Sequence, residues 1–369
     1  MRLSRKITAT GSPLALAVGN FDGVHLGHQA ILRATMRAAE RFGLSAAALT
    51  FAPLPREFFA YRQNNPALAP PRLMSVSEKL IAFAQTGLEH VFVPRFDERF
   101  SSQSPADFLQ SLRAADVRWM MVGDDFRFGA KRSGDVGLMR QFGAAHGIEV
   151  ATMADVVTAG SGVRVSSSAI REVLAAGRLS AAAEMLGKPY AITGRVTHGK
   201  KLGRTLGFPT ANVALSGRKP ALAGVFAVKC RLVTRGLEGV AELGKFDVGE
   251  VLNGVANLGT NPVVSSENRP HLEVFLFDYS TDLYGKRVQV SFIEKIRDEQ
   301  NFASLDGLVT QMHDDTARAK KILSRMNPDV SHARGLGEAR ARLGCCLATK
   351  QAIRKNSRGK KRQANVHLA

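Results

Sequence analysis

A chain of 369 residues, 45% of them apolar, is long enough for two domains with cores of their own. None of its apolar runs approaches the ~18–20 residues that cross a bilayer. Three cysteines, Cys230, Cys345 and Cys346, are wrongly spaced for a disulfide framework or a metal site and point to a reduced, cytoplasmic setting. The formal net charge of +19 suits polyphosphate ligands and allows weak nucleic-acid binding.

Arg2, Arg5 and Lys6 precede an apolar stretch of about five residues, too short for a signal-peptide core, so Leu14–Val18 reads as a first strand. It runs into Gly19-Asn20-Phe21-Asp22-Gly23-Val24-His25-Leu26-Gly27-His28. A buried strand entering His-x-Gly-His at a helix start has the form of a nucleotidyltransferase ATP site. His25 and His28 can donate imidazole N–H bonds to phosphate oxygens. Gly23 and Gly27 let backbone approach a ligand, and the helix over 29–42 aims its positive end at the same place.

Strands are expected over 44–51, 89–93 and 117–122, and helices over 75–87, 104–115 and 136–146, with Ser104 as N-cap and Pro105 at the first helical position. Strands alternating with helices predict an α/β domain with a doubly wound parallel sheet, whose ligands bind at the carboxyl ends of the strands. His25, His28 and Asp125 all fall there. In the segment 123–129, Asp125 can orient a ribose or a metal-bound water, and Phe126 and Phe128 can pack a flat ring. The segment 50–56 also follows a strand and can wall the same cleft. Ser166, Ser167 and Ser168 open a helix over 169–176 with Arg171 on its first turn, a set able to hold the β- and γ-phosphates. A shorter helix, 179–186, follows.

From Lys188 the pattern changes to short strands, 191–196, 225–232, 251–258, 272–277 and 288–293, without intervening helices. This predicts a small antiparallel barrel beginning near Gly187-Lys188-Pro189. The segment 194–212 is rich in glycine and cations. Lys200, Lys201, Gly203 and Arg204 can wrap phosphates, although the Gly-Lys-Ser/Thr of a Walker loop is absent. Thr210 and Asn212 put two hard oxygens on one face of an extended segment, which suits Mg²⁺ held with ATP. Glu273 lies on an apolar strand, as a general base for an attacking hydroxyl or as a structural ion-pair partner. A helix over 305–326 closes the domain, with Leu305, Leu308, Val309, Met312, Ile322 and Leu323 on or near one face. The tail, 327–369, has ten Lys/Arg against two acids and the composition of a disordered segment.

Taken together, these motifs resemble the prokaryotic bifunctional riboflavin kinase/FAD synthetases from about residue 16 to 325. Residues 19–28, 50–56, 123–129 and 165–171 look like the adenylyltransferase segments. Residues 203–212 resemble the flavokinase Pro-Thr-Ala-Asn motif, and 282–285 with 296–302 resemble its C-terminal signatures. The resemblance implies an FMN adenylyltransferase domain (1–187), a riboflavin kinase domain (188–326) and a basic tail (327–369). It implies conversion of riboflavin to FMN and of FMN to FAD with Mg²⁺ and ATP, and small-molecule partners without a membrane or a specific nucleic acid. By motif, Gly19, Phe21, Gly23, Gly27, His25, His28, Ser166, Ser167 and Arg171 would handle ATP in the synthetase. Thr210 and Asn212 would hold Mg–ATP, Glu273 would be the base on the ribityl hydroxyl, and Arg297 would contact the flavin nucleotide. The chain departs from the pattern at Leu54, for a usual histidine, at Ser168 and Ala169, for threonine and arginine, at Phe226, for tyrosine, and at Val263, for threonine. The segment 236–250 is longer than the family's. Two other readings compete. One is a nucleotidyltransferase for another acceptor with a degenerate second domain, against which Thr210, Asn212 and Glu273 argue. The other is a basic nucleic-acid-binding protein, which would show salt-dependent retention but lacks an RNA-binding signature.

Overall fold

In the computed structural model, residues 1–199, 206–215, 219–233, 248–260 and 270–326 are described. Met1–Lys320 forms one compact unit; of a second, Lys321–Ala369, only 321–326 are described. The 327–369 tail with Cys345 and Cys346, the phosphate-wrapping residues Lys200, Lys201, Gly203 and Arg204, the Val263 departure and most of the long segment 236–250 lie outside the described residues.

All five residues of Leu-Ala-Leu-Ala-Val are buried. A strand apolar on both faces belongs inside a parallel sheet covered by helices on both sides, and that is where it lies. The elements of the first half are β1 (Arg2–Ser4), β2 (Leu14–Val18), α1 (Leu26–Phe42), β3 (Ser45–Leu49), α2 (Pro55–Arg62), α3 (Val76–Thr86), β4 (His90–Phe92), α4 (Glu98–Ser101), α5 (Pro105–Ala114), β5 (Val117–Gly123), the short ribbon β6 (Arg127–Phe128) and β7 (Gly134–Asp135), α6 (Val136–His146), β8 (Glu149–Met153), α7 (Ser167–Ala175) and α8 (Leu179–Leu186). Six strands form one sheet in the order β1-β4-β3-β2-β5-β8, every pair parallel. Ser104 caps α5 with Pro105 at its start, as its sequence demands. Ser75 caps α3 and Gly87 ends it in the left-handed region, a conformation that favours glycine.

Beyond Lys188 come β9 (Ala191–Thr197), β10 (Thr210–Val213), β11 (Gly224–Val233), β12 (Val248–Thr260), β13 (Pro270–Leu276), β14 (Arg287–Arg297) and the closing helix α9 (Leu305–Arg325). The strands close into a barrel, β10-β13-β12-β11-β14-β9, with all neighbours antiparallel. Along β13 burial alternates strictly, with Leu272, Val274 and Leu276 inward and His271, Glu273 and Phe275 on the other face, as a half-buried strand requires. Leu305 departs from the expected apolar face of the closing helix: it is exposed in the first turn, and the half-buried stripe begins at Leu308, Val309 and Met312.

The barrel core does not stop at Lys188. Ile170, Val173 and Leu174 of α7 and Ala182, Met185 and Leu186 of α8 share one apolar cluster with Ile192, Phe226, Val228, Val274 and Phe292. Two polar links join the same regions: the Glu78 carboxylate on α3 accepts from Thr193 N–H of β9 at 2.5 Å, and Gln29 Nε2 on α1 donates to Leu186 O at 3.0 Å.

Inside α6, Gly143 sits where a Cβ would be 2.3 Å from Ile148 O. Gly143→Ala should therefore lose about 1–3 kcal/mol through overpacking, read as a lower thermal midpoint; an unchanged midpoint would show that the helix–strand connection has room to give.

Candidate functional site

The turn between β2 and α1 is held in a demanding conformation. Phe21 and Val24 have φ of 49° and 42°, and Gly23 of 87°, a region that costs a side-chain-bearing residue about 1–3 kcal/mol. The surroundings over-determine it. The Asp22 carboxylate, 2% exposed, accepts from Leu73 N–H at 3.1 Å and Met74 N–H at 3.2 Å and from the Arg171 guanidinium at 2.5 Å. The Asn20 carbonyl accepts from Thr50 Oγ1 at 3.0 Å and Lys79 Nζ at 2.6 Å. Phe21 is fully buried, edge-on to Phe83 at 5.3 Å and to His28 at 5.2 Å. Phe21 therefore packs against the histidine within the core, and Gly23 meets a positive φ with Leu73 Cδ1 3.0 Å from where a Cβ would be.

His25 is the N-cap of α1, and its Nδ1 accepts from His28 N–H at 3.3 Å. That nitrogen therefore carries no proton, and the N–H is on Nε2. The two imidazoles stack with centroids 3.6 Å apart, 18° from parallel. Gly27 makes this possible, because a Cβ there would lie 3.3 Å from the His25 ring. Burial, aided by the Arg171 charge, lowers His25 to about 4. Burial, then the His25 and Lys79 charges, holds His28 well below the usual histidine range. Both rings are neutral at pH 7 and offer N–H donors at the positive end of a 17-residue helix. His28 Nδ1 is buried with no partner among the described residues.

The N-terminus of α7 meets the same turn. Ser166 caps it by accepting from Ala169 N–H at 3.1 Å, and Ser167 Oγ donates to Asp22 O at 2.9 Å. Arg171 donates to the Asp22 carboxylate and, through Nε, to Pro71 O at 2.6 Å; only 15% of its side chain is exposed. Its charge lies beside the histidines, but much of its donor capacity is engaged by the protein. Ala169 lies half-buried against the barrel's apolar cluster. Leu54, the N-cap of α2, is buried, and Glu57 on that helix pairs with Arg72.

Asp125 stands past the end of β5 with its side chain 82% exposed, 3.5 Å from Arg164. Gly19, at the end of β2, donates its N–H to Leu49 O. Phe126 is half-buried and stacks on Phe128 at 5.9 Å. Phe128 is core, against Phe108, and Phe126 is the more exposed of the pair.

On the barrel, register assembles a second group. Asn212 of β10 is directly opposite Glu273 of β13, and Glu273 is opposite Asn257 of β12. Residues so paired are about 4.5–5.5 Å apart at Cβ. The carboxylate is thus flanked by two amides on the half-buried outer face, with Thr197 beyond Asn212. Thr210 lies two residues before Asn212 on the same strand and face. Gly199 leaves the space that Asn212 fills, since a Cβ there would be 2.1 Å from the amide nitrogen. Asn257 Nδ2 lies 3.5 Å from Glu299 Oε1. Arg297 forks onto Asp315 of α9 at 2.8–3.0 Å, donates to Asp298 O at 2.9 Å and lies over the Phe302 ring at 5.6 Å. Phe226 is fully buried, edge-on to Phe292 at 5.2 Å; a tyrosine hydroxyl there would need a partner inside the core.

Asp22 lies inside the first motif and Asn257 on the expected strand 251–258, yet sequence reading singles out neither. The usable signals are an acid inside a glycine turn, which cannot be buried unpaired, and an amide on an otherwise apolar strand. Glu299 lies inside a recognised signature, and Lys79 carries no local signal beyond a cation on an apolar helix face.

The chain matches the family model for FAD synthetase over residues 8–169 and that for riboflavin kinase over 186–323. Bifunctional riboflavin kinase/FMN adenylyltransferase of Escherichia coli strain K12 is 41% identical over 315 residues, covering 85% of this chain and 94% of the relative. The protein of the same name from Haemophilus influenzae is 40% identical, covering 84% and 94%. A crystal structure named as a macrolide-efflux protein from Streptococcus pneumoniae superposes with a TM-score of 0.69 at 27% identity, covering 85% of this chain and 96% of that one. No described helix is long and apolar enough to cross a membrane.

The depressed His25 sets a pH dependence of stability. An ordinary histidine protonates near 6.5, whereas His25 in the folded chain protonates near 4. Above 6.5 both states are neutral and stability is flat. Between 6.5 and about 4 the unfolded chain takes the proton first, so stability falls as pH falls, by up to about 1.4 kcal/mol per pH unit. Denaturant titrations at pH 7, 5.5 and 4.5 should show this slope, and His25→Gln should lose about one proton's worth of it.

Proposed function

The chain belongs to the bifunctional riboflavin kinase/FMN adenylyltransferase family, and on that premise we propose how its residues divide the two reactions. Residues 188–326 phosphorylate riboflavin to FMN, and residues 1–187 join FMN to the adenylyl group of ATP, releasing pyrophosphate and giving FAD. The observation that carries the division is the cross-strand row Asn212–Glu273–Asn257. It gives the barrel a positioned carboxylate of its own, so the second half is equipped for its own reaction and is not a degenerate appendage.

In the kinase, Glu273 takes the proton from the ribityl hydroxyl as that oxygen attacks the terminal phosphorus of ATP, whose bond to the bridging oxygen breaks to release ADP. Its neighbouring amides fix the carboxylate's direction. Thr210 and Asn212 are neutral hard-oxygen donors at one end of that row, a set that fits Mg²⁺ shared with ATP; the ion would offset charge on the phosphates. Lys200, Lys201, Gly203 and Arg204 belong to the phosphate loop by motif. Arg297, stacked on Phe302 and anchored by Asp315, borders the flavin end.

In the synthetase, a phosphate oxygen of FMN attacks the α-phosphorus of ATP. His25 and His28, neutral and stacked, donate N–H bonds to oxygens that gain charge in the transition state. Gly27, Ser166, Ser167 and the free backbone N–H groups of α7 receive the phosphates, with Arg171 as the nearby cation. Asp125 and Phe126 border the ribose and ring. Use of ATP and the free, buried Cys230 support a cytoplasmic setting.

The test is incubation with riboflavin, ATP and Mg²⁺, resolving FMN and FAD over time. His28→Ala should reduce FAD formation about 100-fold or more while FMN accumulates. Glu273→Gln should reduce FMN formation roughly 100- to 10,000-fold, with FAD still formed from supplied FMN. Equal loss of both activities in either folded variant would refute the division.

A further inference from the structure

The reading above leaves one buried cation unused. Lys79, on α3, is 3% exposed and carries no salt bridge among the described residues. Its Nζ donates to Asn20 O at 2.6 Å and Thr50 Oγ1 at 3.1 Å, and Thr50 Oγ1 donates to the same carbonyl at 3.0 Å. These three groups close a triangle behind the turn that presents the histidines. Desolvating an ammonium is expensive, and one carbonyl and one hydroxyl repay less of it than a carboxylate would. An apolar side chain would fill the same space at lower cost, so the cation needs a reason.

The charged and titratable groups that act with it are Asp22 on the turn, Glu57 on α2, Arg72 before α3 and His28 on α1. Asp22 and Glu57 favour the ammonium, but their main partners are Arg171 and Arg72. Burial is the largest influence and brings Lys79 down to about 8, still charged at neutral pH. In turn, the ammonium acts on His28, which burial and the His25 charge already push toward the neutral form.

We propose that Lys79 is a positioning residue for adenylyl transfer: it locks the 19–23 turn, and with it the start of the histidine helix, through Asn20 and Thr50. This rests on assigning adenylyl transfer to the parallel-sheet domain. Displacing a donor by about 1 Å can cost 100-fold in rate, so the lock has kinetic weight.

The test uses the full chain, with riboflavin phosphorylation as the control for folding, and follows FAD formation from FMN and ATP. Lys79→Met should lower kcat about 10- to 100-fold and leave the ATP KM within about threefold. Riboflavin phosphorylation should be unchanged. Thr50→Val, which removes one corner of the triangle, should lower kcat in the same way with the ATP KM kept. Lys79→Arg should do the same, since its fork does not reproduce both contacts. Wild-type kcat in Lys79→Met, or a loss carried by the ATP KM with kcat kept, overturns the proposal. If Lys79→Met does not fold, the other two variants decide: both must lower kcat with the ATP KM kept, and either one behaving otherwise overturns it. A wild-type chain that makes FMN but no FAD instead overturns the assignment on which the proposal rests.

Discussion

The buried carboxylate of Asp22 is the constraint on which the rest of the first domain depends. Its oxygens and its carbonyl bind the 71–74 segment, the guanidinium of α7 and the capping region of α7 to one turn. A carboxylate so deeply buried is tolerable only when paired, and removing one partner of such a pair typically costs 3–5 kcal/mol. That explains why Arg171 is turned inward. Its first task is to neutralise Asp22, and its field on the histidines follows from where that task holds it. Three consecutive requirements, a positive-φ backbone, a capping imidazole and a stacked partner, then become mutually consistent.

Much of this was legible beforehand because it rests on local rules. Leu14–Val18 is apolar throughout and could only be an inner strand; Ser104-Pro105 could only begin a helix. The barrel was legible from strand spacing, and Glu273 from being an acid on an apolar strand. Other features needed the third dimension. Helix α2 hides in Pro-Arg-Glu-Phe-Phe-Ala-Tyr-Arg, where exposed aromatics blur the period of its buried face, Glu57 and Ala60. Strand β8, at the edge of the sheet with no fully buried residue, lacks the apolar signature of its neighbours. The inward turn of Arg171 depends on Asp22, 149 residues earlier, and no spacing rule reports a pair that distant.

The two candidate sites solve the same problem by different means. Each must hold polar groups rigidly at the edge of an apolar core. The first domain does so with a strained turn braced by buried charges, so its donors are set by tertiary contacts from four separate segments. The barrel does so with register: once β10, β13 and β12 pair, Asn212, Glu273 and Asn257 fall into line. In both, the reacting side chains were legible in the motifs, whereas the groups that brace them, Asp22 in the turn and Asn257 beside Glu273, were set by contacts that no spacing reports.

Helix α7 belongs to both halves. Its N-terminus is fastened to Asp22, while Ile170, Val173 and Leu174 lie in the barrel's apolar cluster. The stretch between the two family matches, 170–185, is therefore not a linker in which halves from different relatives can be recombined at will. A crossover before α7 mismatches the helix with the turn, and one after it mismatches the helix with the barrel. Domain exchange in this lineage would have to carry compensating changes at one end of a nine-residue helix.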